Sequence, residues 1–353
     1  MSSVAIENFR CIQSARLEFD PQGTGILGRN ASGKTSLLEA IYFLSHGRSL
    51  RTNVRDKLVR NGDDFFRIVA ELETARGVLV AGTEFTAGRT RMRLAGHDVS
   101  SISDIAEILP IQLIDPGVHR LVEEGSARRR RLLDWGVFHV EHAFLTQWRR
   151  YQRALSQRNA LLKQSHPVDV LSAWEREMTD PGELVDRARG DYIRLLRPHF
   201  ERLGSELLGE DVTLEYRRGW ARDQSLGDAL AAHRPRDHQL RVTTVGPHRA
   251  DLAFLVGGTP ARDRVSRGQQ KMLACAFVLA QVELRAVTAT VPTCLLLDDP
   301  AAELDVDNLG KLLRAIADVR AQLIVTSVSE AGLEGMNVHR RFHVEQGKFA
   351  LML

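Results

Sequence analysis

A glycine-rich segment close to the amino terminus limits the possible folds more than any other feature of the chain. Residues 28–35 read Gly-Arg-Asn-Ala-Ser-Gly-Lys-Thr, which has the spacing G-x-x-x-x-G-K-[ST] of a phosphate-binding loop. The apolar run 25–27 predicts a strand before the loop, and the composition of 36–44 predicts a helix after it. Because a helix carries partial positive charge at its amino end, this order places that end beneath bound phosphates. The sequence therefore predicts a nucleotide-binding α/β fold.

The residue types within this loop each suit phosphate binding. Glycines allow the backbone to curl, so that successive N–H groups point towards phosphate oxygens. Lys34 can reach the outer phosphates, and the Thr35 hydroxyl can contact Mg²⁺. A chance glycine-rich turn is the alternative, which the agreement of both flanks disfavours. The predicted nucleotide-binding residues of this segment are Gly28, Arg29, Asn30, Ala31, Ser32, Gly33, Lys34, Thr35 and Ser36.

Paired carboxylates follow an apolar run near the other end of the chain. Residues 294–297 predict a buried parallel strand, and Asp298 comes at its carboxyl end, where ligands bind in open α/β sheets. Asp298 is predicted to hold Mg²⁺ directly or through water, and Asp299 to polarise the attacking water. Taken alone, the same residues could be solvated carboxylates at a strand end. The phosphate loop favours the catalytic interpretation.

A third segment begins at Ser266, which caps a helix predicted from about residue 268 to 284. A serine hydroxyl and the first N–H groups of a helix form an anion site. Ser266, Gly268 and Gln269 also have the form of an ABC-type signature, which binds nucleotide when a second ATPase head presents it. A plain helix cap is the alternative, and the position shortly before the carboxylate strand favours the signature.

Composition excludes several classes of protein. The chain has 353 residues, enough for two domains, with 26% charged and 43% hydrophobic residues. Cys11, Cys275 and Cys294 lack metal-binding spacing and predict reduced thiols in a cytoplasmic protein. The amino terminus has no signal-peptide pattern, and no apolar stretch approaches about 18 residues, so no membrane span or membrane partner is predicted.

The distribution of charge is more informative than the net charge of +3. Residues 116–165 contain ten Lys/Arg and four Asp/Glu, a local excess that is typical of phosphate-backbone contact. A solvated helix face with intramolecular ion pairs is the alternative. No base-reading motif is evident, so DNA binding is expected to be largely independent of sequence. The predicted DNA-binding residues are Arg128, Arg129, Arg130, Arg131, Arg149, Arg150 and Arg153.

The phosphate loop and the carboxylate strand lie too far apart for a minimal nucleotide-binding domain, so part of the chain between them must be an insertion. Alternating residues in 65–95 predict an antiparallel sheet, and 115–240 is predicted to be mainly helical, with a turn at 163–169. We predict a discontinuous head formed by 1–112 and 245–353, with 113–244 as an inserted helical arm.

The ordered set of motifs resembles the ABC-type ATPases of the SMC and RecF kind over nearly the whole chain. The matching segments are the opening strand and turn 6–10, the phosphate loop, 110–113 as the Q-loop, 130–136, 246–249, the signature, the carboxylate strand and 302–305 as the D-loop. Segments 130–136 and 246–249 are more specific to the RecF branch. The resemblance implies an ABC-type P-loop ATPase head, an α/β fold with a mixed sheet, flanking helices and an antiparallel β lobe, plus the inserted helical arm.

The resemblance also implies roles for single residues. Arg10 is expected to contact the nucleotide, Gln112 to sense the γ-phosphate and Mg²⁺, and Asp305 to make a contact across the dimer. Ser327, or its neighbour Thr326, stands where most ABC ATPases have a switch histidine. A hydroxyl is a poor proton acceptor, and Asp299 is one methylene shorter than the usual glutamate. Slow hydrolysis is therefore expected.

The function implied by the resemblance is an ATP-gated clamp in recombinational DNA repair and replication restart. The chain would bind ATP and Mg²⁺, form an ATP-dependent homodimer and hold double-stranded DNA or single-strand–double-strand junctions. It would be a weak DNA-stimulated ATPase that helps to load recombinase at gaps with RecR and RecO type mediator proteins. The alternatives are another ABC/SMC-like ATPase and a P-loop phosphotransferase.

Overall fold

The chain contributes two separate stretches to one compact unit and the intervening stretch to another. The computed structural model describes residues 1–74, 77–164, 168–302 and 304–352. Met1–Val118 and Ala286–Leu353 form the first unit, and His119–Arg285 form the second.

The strands in the described ranges belong to three sheets. They are β1 Ser3–Phe9, β2 Ile12–Glu18, β3 Gly23–Leu27, β4 Phe65–Thr74, β5 Gly77–Thr86, β6 Arg89–Leu94, β7 His97–Val99, β8 Ile111–Ile114, β9 Val212–Arg217, β10 Asp251–Val256, β11 Thr259–Pro260, β12 Thr293–Asp298, β13 Ala321–Ser327, β14 Arg340–Glu345 and β15 Lys348–Leu351.

The α-helices are α1 Lys34–His46, α2 Ile102–Ile108, α3 Arg120–Glu123, α4 Ser126–Val140, α5 Phe144–Lys163, α6 Val168–Leu208, α7 Leu226–Leu240, α8 Ala261–Arg264, α9 Arg267–Thr288 and α10 Val306–Ala317. The helix predicted after the phosphate loop and the helix predicted after Ser266 are both confirmed as α1 and α9. Across the described part of the chain, no helix has the length and apolar character that a membrane span requires.

A six-stranded sheet in the order β15-β14-β3-β13-β12-β8 forms the centre of the first unit. The strands from β14 to β8 are parallel, and β15 is antiparallel to β14. Every residue of β3 and β12 is buried, as expected for parallel strands that are covered on both faces. The predicted carboxylate strand is therefore confirmed, and its carboxyl end lies beside those of β3 and β13.

The second sheet of the first unit has the order β2-β1-β4-β5-β6-β7 and is antiparallel. It confirms the antiparallel sheet predicted in 65–95. One face of β4 buries alternate residues against helix α1, and the rings of Phe9 and Phe43 both meet Phe66 edge to face at 5.2 and 5.3 Å. This core packs the carboxyl-terminal half of α1 against the antiparallel sheet.

The second unit contains helices α3 to α8, most of α9 and the sheet β11-β10-β9. Helix α6 continues through Pro181 and Pro198, and the predicted turn at 163–169 falls partly outside the described residues. The boundaries of the two units differ from those of the predicted domains, because β10 pairs with β9 and brings 245–285 into the second unit. Strand β8 likewise pairs with β12, so that 113–118 belong to the first unit. Helical periodicity cannot reveal such pairings between distant segments.

A buried arginine joins the two sequence segments that are specific to the RecF branch. The Arg189 side chain is fully buried and donates to both carboxylate oxygens of Asp134 at 2.8 and 3.0 Å. It also donates to Pro247 O at 2.7 Å, and its guanidinium lies 5.2 Å from the centre of the Trp148 ring. Segment 130–136 and segment 246–249 are thus parts of one polar cluster inside the second unit.

The histidine of that cluster has a defined protonation state. His248 Nδ1 lies 2.7 Å from the Tyr151 hydroxyl, and Nε2 lies 3.0 Å from Thr243 O. A neutral ring satisfies both contacts if Nε2–H donates to the carbonyl and Nδ1 accepts from the hydroxyl. Burial lowers the pKa of His248 to about 4, which keeps the ring neutral. His248 therefore orders the turn Pro247–Arg249 within this polar cluster.

We expect Arg189→Met to lower the free energy of unfolding by about 3–5 kcal/mol, because it leaves the Asp134 carboxylate and Pro247 O without their donor. Urea unfolding monitored by circular dichroism measures the loss. Arg194→Met on the same helix is the matched control, since its side chain is 78% exposed and its ion pair with Asp191 contributes little. A loss below about 1 kcal/mol at position 189 would contradict the cluster's structural role.

A second prediction concerns stability in acid. Burial lowers the pKa of His46 to about 3, whereas an unfolded histidine titrates near 6.5. Between these values the unfolded chain binds a proton that the native chain does not, so stability falls as pH decreases. His46→Phe should flatten the slope of unfolding free energy between pH 6.5 and 4.5 by up to about 1.4 kcal/mol per pH unit. An unchanged slope, or an equal change in the exposed variant His142→Gln, would contradict the assignment.

Candidate functional site

The phosphate loop connects strand β3 with helix α1 in the first unit. Gly33 has φ +121° and Ala31 has φ +62°, so the backbone turns through conformations that most residues avoid. A Cβ at Gly28 would overlap Val344 O and lie 2.7 Å from Ser32 Oγ, which leaves no room for a side chain. Gly33 caps α1 without a side-chain hydrogen bond, so the first N–H groups of the helix face the loop and suit an anion.

Lys34 lies across the loop. Its Nζ donates to Gly28 O at 2.6 Å and to Arg29 O at 3.1 Å. Burial lowers the pKa of Lys34, an effect that the nearby carboxylates of Asp299 and Asp298 oppose. The same lysine is thus held between the loop carbonyls and two acidic residues.

The predicted partner of the loop is in place at the end of β12. Asp298 is 9% exposed, and its two carboxylate oxygens accept from the Thr35 hydroxyl at 3.1 and 3.0 Å. Thr326 Oγ1 donates to the same carboxylate at 2.8 Å. Hydroxyl and carboxylate oxygens are the ligands that Mg²⁺ prefers, so Thr35 and Asp298 fit a bound cation. Ser32 Oγ is buried in the loop with no hydrogen-bond partner among the described residues. A buried hydroxyl of this kind is available to hydrogen-bond a bound ligand.

Asp299, the residue after Asp298, has an unusual backbone conformation. Its φ is +48°, in the left-handed region that non-glycine residues seldom occupy. Its N–H donates to Thr326 Oγ1 at 3.0 Å. The two acidic residues predicted from the sequence are therefore together at the carboxyl edge of the sheet, and both contact one threonine.

Arg10 forms an ion pair with Glu39 of helix α1, and its predicted contact with the nucleotide stays a prediction. Its guanidinium donates to both oxygens of the fully buried Glu39 carboxylate at 3.0 Å each, and to Lys57 O at 2.9 Å. Glu39 is on α1, so this pair ties the opening strand to the helix of the loop. Sequence reasoning missed Glu39, although a glutamate within the apolar run 37–44 was the available signal. A cavity of about 500 Å³ opens beside Arg10, Cys11, Ser36 and Asn61.

The role predicted for Gln112, sensing the γ-phosphate and Mg²⁺, stays a prediction. Gln112 lies within β8, level with Leu295 and three residues before the register position of Asp298, and is 3% exposed. At about 3.3 Å per residue it is roughly 10 Å from the carboxyl edge. Asp115, the first residue after β8, is the one that reaches this edge. A predicted strand ending at residue 114 would have located it.

Ser327 hydrogen-bonds within its own turn, and its predicted contact with the nucleotide stays a prediction. Its hydroxyl donates to Ser329 O at 2.9 Å and accepts from Ser329 N–H at 3.3 Å, and Gly332 packs directly against it. These hydrogen bonds close a local turn and are not made to the carboxylates of Asp298 or Asp299. The hydroxyl that contacts the Asp298 carboxylate belongs to Thr326, the other candidate for the position of the switch histidine.

The signature segment lies in the second unit and forms a reciprocal helix cap. Ser266 Oγ accepts from Gln269 N–H at 3.3 Å, and Gln269 Oε1 accepts from Ser266 N–H at 2.9 Å. Ser266 and Gly268 are exposed, and a Cβ on Gly268 would meet no atom closer than 4.0 Å. The plain cap is therefore present, and the same exposed groups remain available to an outside ligand.

Asp305 caps helix α10 in the first unit. Its carboxylate accepts from Asn308 N–H at 2.8 Å and from Asn308 Nδ2 at 2.6 Å, and these hydrogen bonds lower the pKa of Asp305. Glu303, another residue of the predicted D-loop, lies outside the described residues. Asp305 is exposed, so its predicted contact across a dimer stays a prediction.

The predicted DNA-binding arginines fall into two groups. Arg129 is buried, with Nε 2.8 Å from Asp251 and Nη1 donating to Leu121 O and Glu124 O, so it is not part of an exposed basic surface. Arg130 donates to Ala250 O at 2.7 Å. Arg129 holds α4 within the second unit and is removed from the predicted surface, whereas Arg130 is half-buried and its contact with DNA stays a prediction. Charge counting missed this because it cannot distinguish a buried arginine from an exposed one.

The remaining arginines of the set are half-buried or exposed. Arg128 lies 3.3 Å from Glu124, and Arg150 pairs with Glu177 at 2.5 Å on the surface. Arg131, Arg149 and Arg153 are exposed. Ion pairs at the surface are weak and exchange readily for phosphate, so these residues remain candidates.

The phosphate loop, the paired carboxylates and the surrounding sheets define a nucleotide-binding head of the ABC and SMC class. The family model for the RecF/RecN/SMC N terminal domain matches residues 1–349. The chain belongs to the RecF family: the DNA replication and repair protein RecF of Shewanella baltica (strain OS155) is 37% identical over 358 residues, covering 100% of this chain and 99% of that protein. RecF of Shewanella loihica is 36% identical over 357 residues, with the same coverage.

Solved structures show the same fold. The recombination mediator protein RecF with ATP, from the RecFOR pathway, aligns with a TM-score of 0.87 at 24% identity, covering 100% of this chain and 97% of that one. An Smc head bound to the C-winged helix domain of ScpA aligns with a TM-score of 0.61 at 16% identity, covering 99% and 97%. The predicted family and fold class are confirmed.

Gly28→Ala should weaken nucleotide binding by at least about tenfold, which corresponds to about 1.4 kcal/mol, because the added Cβ displaces the loop from Val344 and Ser32. Titration with a fluorescent ATP analogue measures the affinity. Gly190→Ala on α6 is the matched control, since its added Cβ meets nothing within 4 Å. Wild-type affinity in Gly28→Ala would show that the loop can open to admit a side chain.

Proposed function

We propose that the chain is an ATP-gated, dimerising DNA-binding protein of recombinational repair and replication restart. The observation that carries the proposal is the Thr35–Asp298 pair beside a phosphate loop, together with an exposed serine cap on α9. The first provides half of a nucleotide site, and the second provides the signature that a second copy would present. Family membership supports this reading, because the curated relatives are named DNA replication and repair proteins.

The proposed cofactors are ATP and Mg²⁺. The N–H groups of the loop and Lys34 would bind the phosphates, while Thr35 and Asp298 would hold the cation. Mg²⁺, when bound, neutralises charge on the phosphates and so favours attack by water. Asp299 orients that water, and its short side chain together with the absence of histidine at 326 and 327 favours slow turnover. We propose a weak ATPase, stimulated by DNA, whose hydrolysis reopens the dimer.

Signature residues of a second copy would complete the site. Ser266, Gly268 and Gln269 would face the outer phosphates through a hydroxyl and the amino end of α9. Asp305 would lie in the same interface. ATP would thus act as the bridge of a homodimer, and its loss would separate the heads.

DNA binding is proposed to depend on exposed arginines of the second unit. The candidates are the exposed Arg131, Arg149, Arg150 and Arg153 and the half-buried Arg128, and phosphate would displace the surface ion pairs of Arg128 and Arg150. Contact with phosphates predicts binding that weakens steeply with salt and does not depend on sequence.

The wider role is proposed from the relatives. One structural neighbour is described as a recombination mediator in the RecFOR pathway. We propose that this chain likewise binds double-stranded DNA and single-strand–double-strand junctions, and helps to load recombinase at gaps with RecR and RecO type mediators. A cytoplasmic location is part of the same proposal.

Light-scattering mass, with and without ATP, Mg²⁺ and a short duplex, tests the proposal. We expect the wild-type chain to change from monomer to dimer only with ATP and Mg²⁺, and the duplex to favour the dimer. Ser266→Arg should bind nucleotide and remain monomeric, because the larger side chain blocks the incoming phosphate. Lys34→Ala should lose nucleotide binding and the dimer together.

Each variant separates one part of the proposal from the rest. Dimers of Ser266→Arg would refute the signature assignment. A wild-type mass that ATP does not change would refute the dimer, and phosphorylation of a small metabolite would favour a phosphotransferase. ATP consumption that rises with duplex DNA, with no phosphorylated metabolite, would support the clamp.

A further inference from the structure

Thr326 joins the two acidic residues of the site through one hydroxyl. It is fully buried at the carboxyl end of β13, where its register partner is Asp298. Its Oγ1 lies 2.8 Å from Asp298 Oδ1, 3.0 Å from the Asp299 nitrogen and 3.4 Å from Leu297 O. A hydroxyl has one proton and two lone pairs, so it donates to one acceptor. The short contact with the carboxylate is charge-assisted, so the proton goes to Asp298 and Asp299 N–H donates to a lone pair.

The contact with Asp298 fixes how that carboxylate is oriented. Thr35 donates to the carboxylate from the phosphate loop, and Thr326 donates to Oδ1 from the neighbouring strand. Two donors on different elements leave the carboxylate little freedom to rotate. Hydrogen bonds of this kind, made to a residue that holds a cation, set the geometry and affinity of the cation site.

The contact with Asp299 acts on the backbone. Asp299 has φ +48°, a conformation that is costly for a residue with a side chain and persists only where its surroundings impose it. The hydrogen bond from Asp299 N–H to Thr326 is a restraint of that kind. Because backbone angles determine where a side chain points, Thr326 also sets the direction of the Asp299 carboxylate.

The adjacent hydroxyl does not share this role. Ser327 hydrogen-bonds within its own turn to Ser329, and Gly332 packs against it. Of the two hydroxyl residues that occupy the position of a switch histidine, Thr326 is the one that contacts the acidic pair.

We propose that Thr326 is a positioning residue for nucleotide hydrolysis: it holds Asp298 for the cation and Asp299 for the attacking water, and acts only through them. This inference rests on the proposed ATPase function. Thr326→Val keeps the shape and the preference for a strand, but can neither donate to Asp298 nor accept from Asp299. Thr326→Ser keeps the hydroxyl.

The test combines hydrolysis with nucleotide binding in full-length protein. ATP hydrolysis is measured against Mg²⁺ concentration, and the affinity for a fluorescent ATP analogue is measured in EDTA and across the same Mg²⁺ range. For Thr326→Val we expect a 10–100-fold loss of kcat or of apparent Mg²⁺ affinity, an unchanged nucleotide affinity in EDTA, and recovery in Thr326→Ser. Thr83→Val is the matched control, since Thr83 is a buried strand threonine whose hydroxyl has no partner in the described ranges.

The outcomes separate the inference from the function on which it rests. Wild-type hydrolysis and Mg²⁺ dependence in Thr326→Val would overturn the inference, as would an equal loss in Thr83→Val. If the wild-type chain binds nucleotide without hydrolysing it, the ATPase proposal fails, and an unchanged Mg²⁺ dependence of binding in Thr326→Val would overturn the inference separately. A wild-type chain that binds no nucleotide overturns both. If Thr326→Val does not fold, Thr326→Cys, which keeps the size and weakens both hydrogen bonds, is measured in its place.

Discussion

The hydrogen bonds between Thr35 and Asp298 join residues that are 263 positions apart in the chain. The fold of the first unit depends on bringing these two distant segments together. Strand β3 carries the phosphate loop, β12 carries the carboxylates, and β13 lies between them. The entropy of closing a long loop grows only with the logarithm of its length, so a large insertion between these segments costs little more than a short one. The inserted stretch has a buried core of its own, which offsets that cost within its own unit.

Three residues in and near the phosphate loop and the carboxylates have unfavourable backbone conformations. Arg10, Ala31 and Asp299 all have positive φ without being glycine. Each is restrained by specific surroundings: Arg10 by the buried Glu39 carboxylate, Ala31 by the loop, and Asp299 by Thr326. Strain of this kind persists only where the surroundings impose it, and here it sets the direction of side chains in and beside the phosphate loop and the carboxylates. The stability of the sheets and of α1 offsets the cost of this strain.

Local patterns were sufficient to predict much of the site. The loop spacing located Lys34 and Thr35, four apolar residues located Asp298, and a serine before an amphipathic run located α9. Contacts between distant segments were beyond reach: nothing in the sequence links Arg10 with Glu39 or Asp298 with Thr326. Gln112 lies three residues before the register position of Asp298, about 10 Å along the strand, which a motif match does not show. The second unit includes 245–285 because β10 pairs with β9, a pairing that no periodicity encodes.

The arginines of the second unit show why a local charge excess overstates a binding surface. Arg129 pairs with Asp251, Arg158 with Asp237, and Arg189 with Asp134, in each case with an arginine side chain that is at most 9% exposed. An unpaired charge in these positions would be strongly destabilising. Each pair therefore stabilises the one arrangement of its two elements in which the charges meet, and disfavours arrangements that separate them. These arginines count towards the net charge and contribute little to the field outside. The electrostatic potential outside the second unit therefore comes from fewer arginines than the charge count suggests, so each exposed arginine contributes a larger share of it.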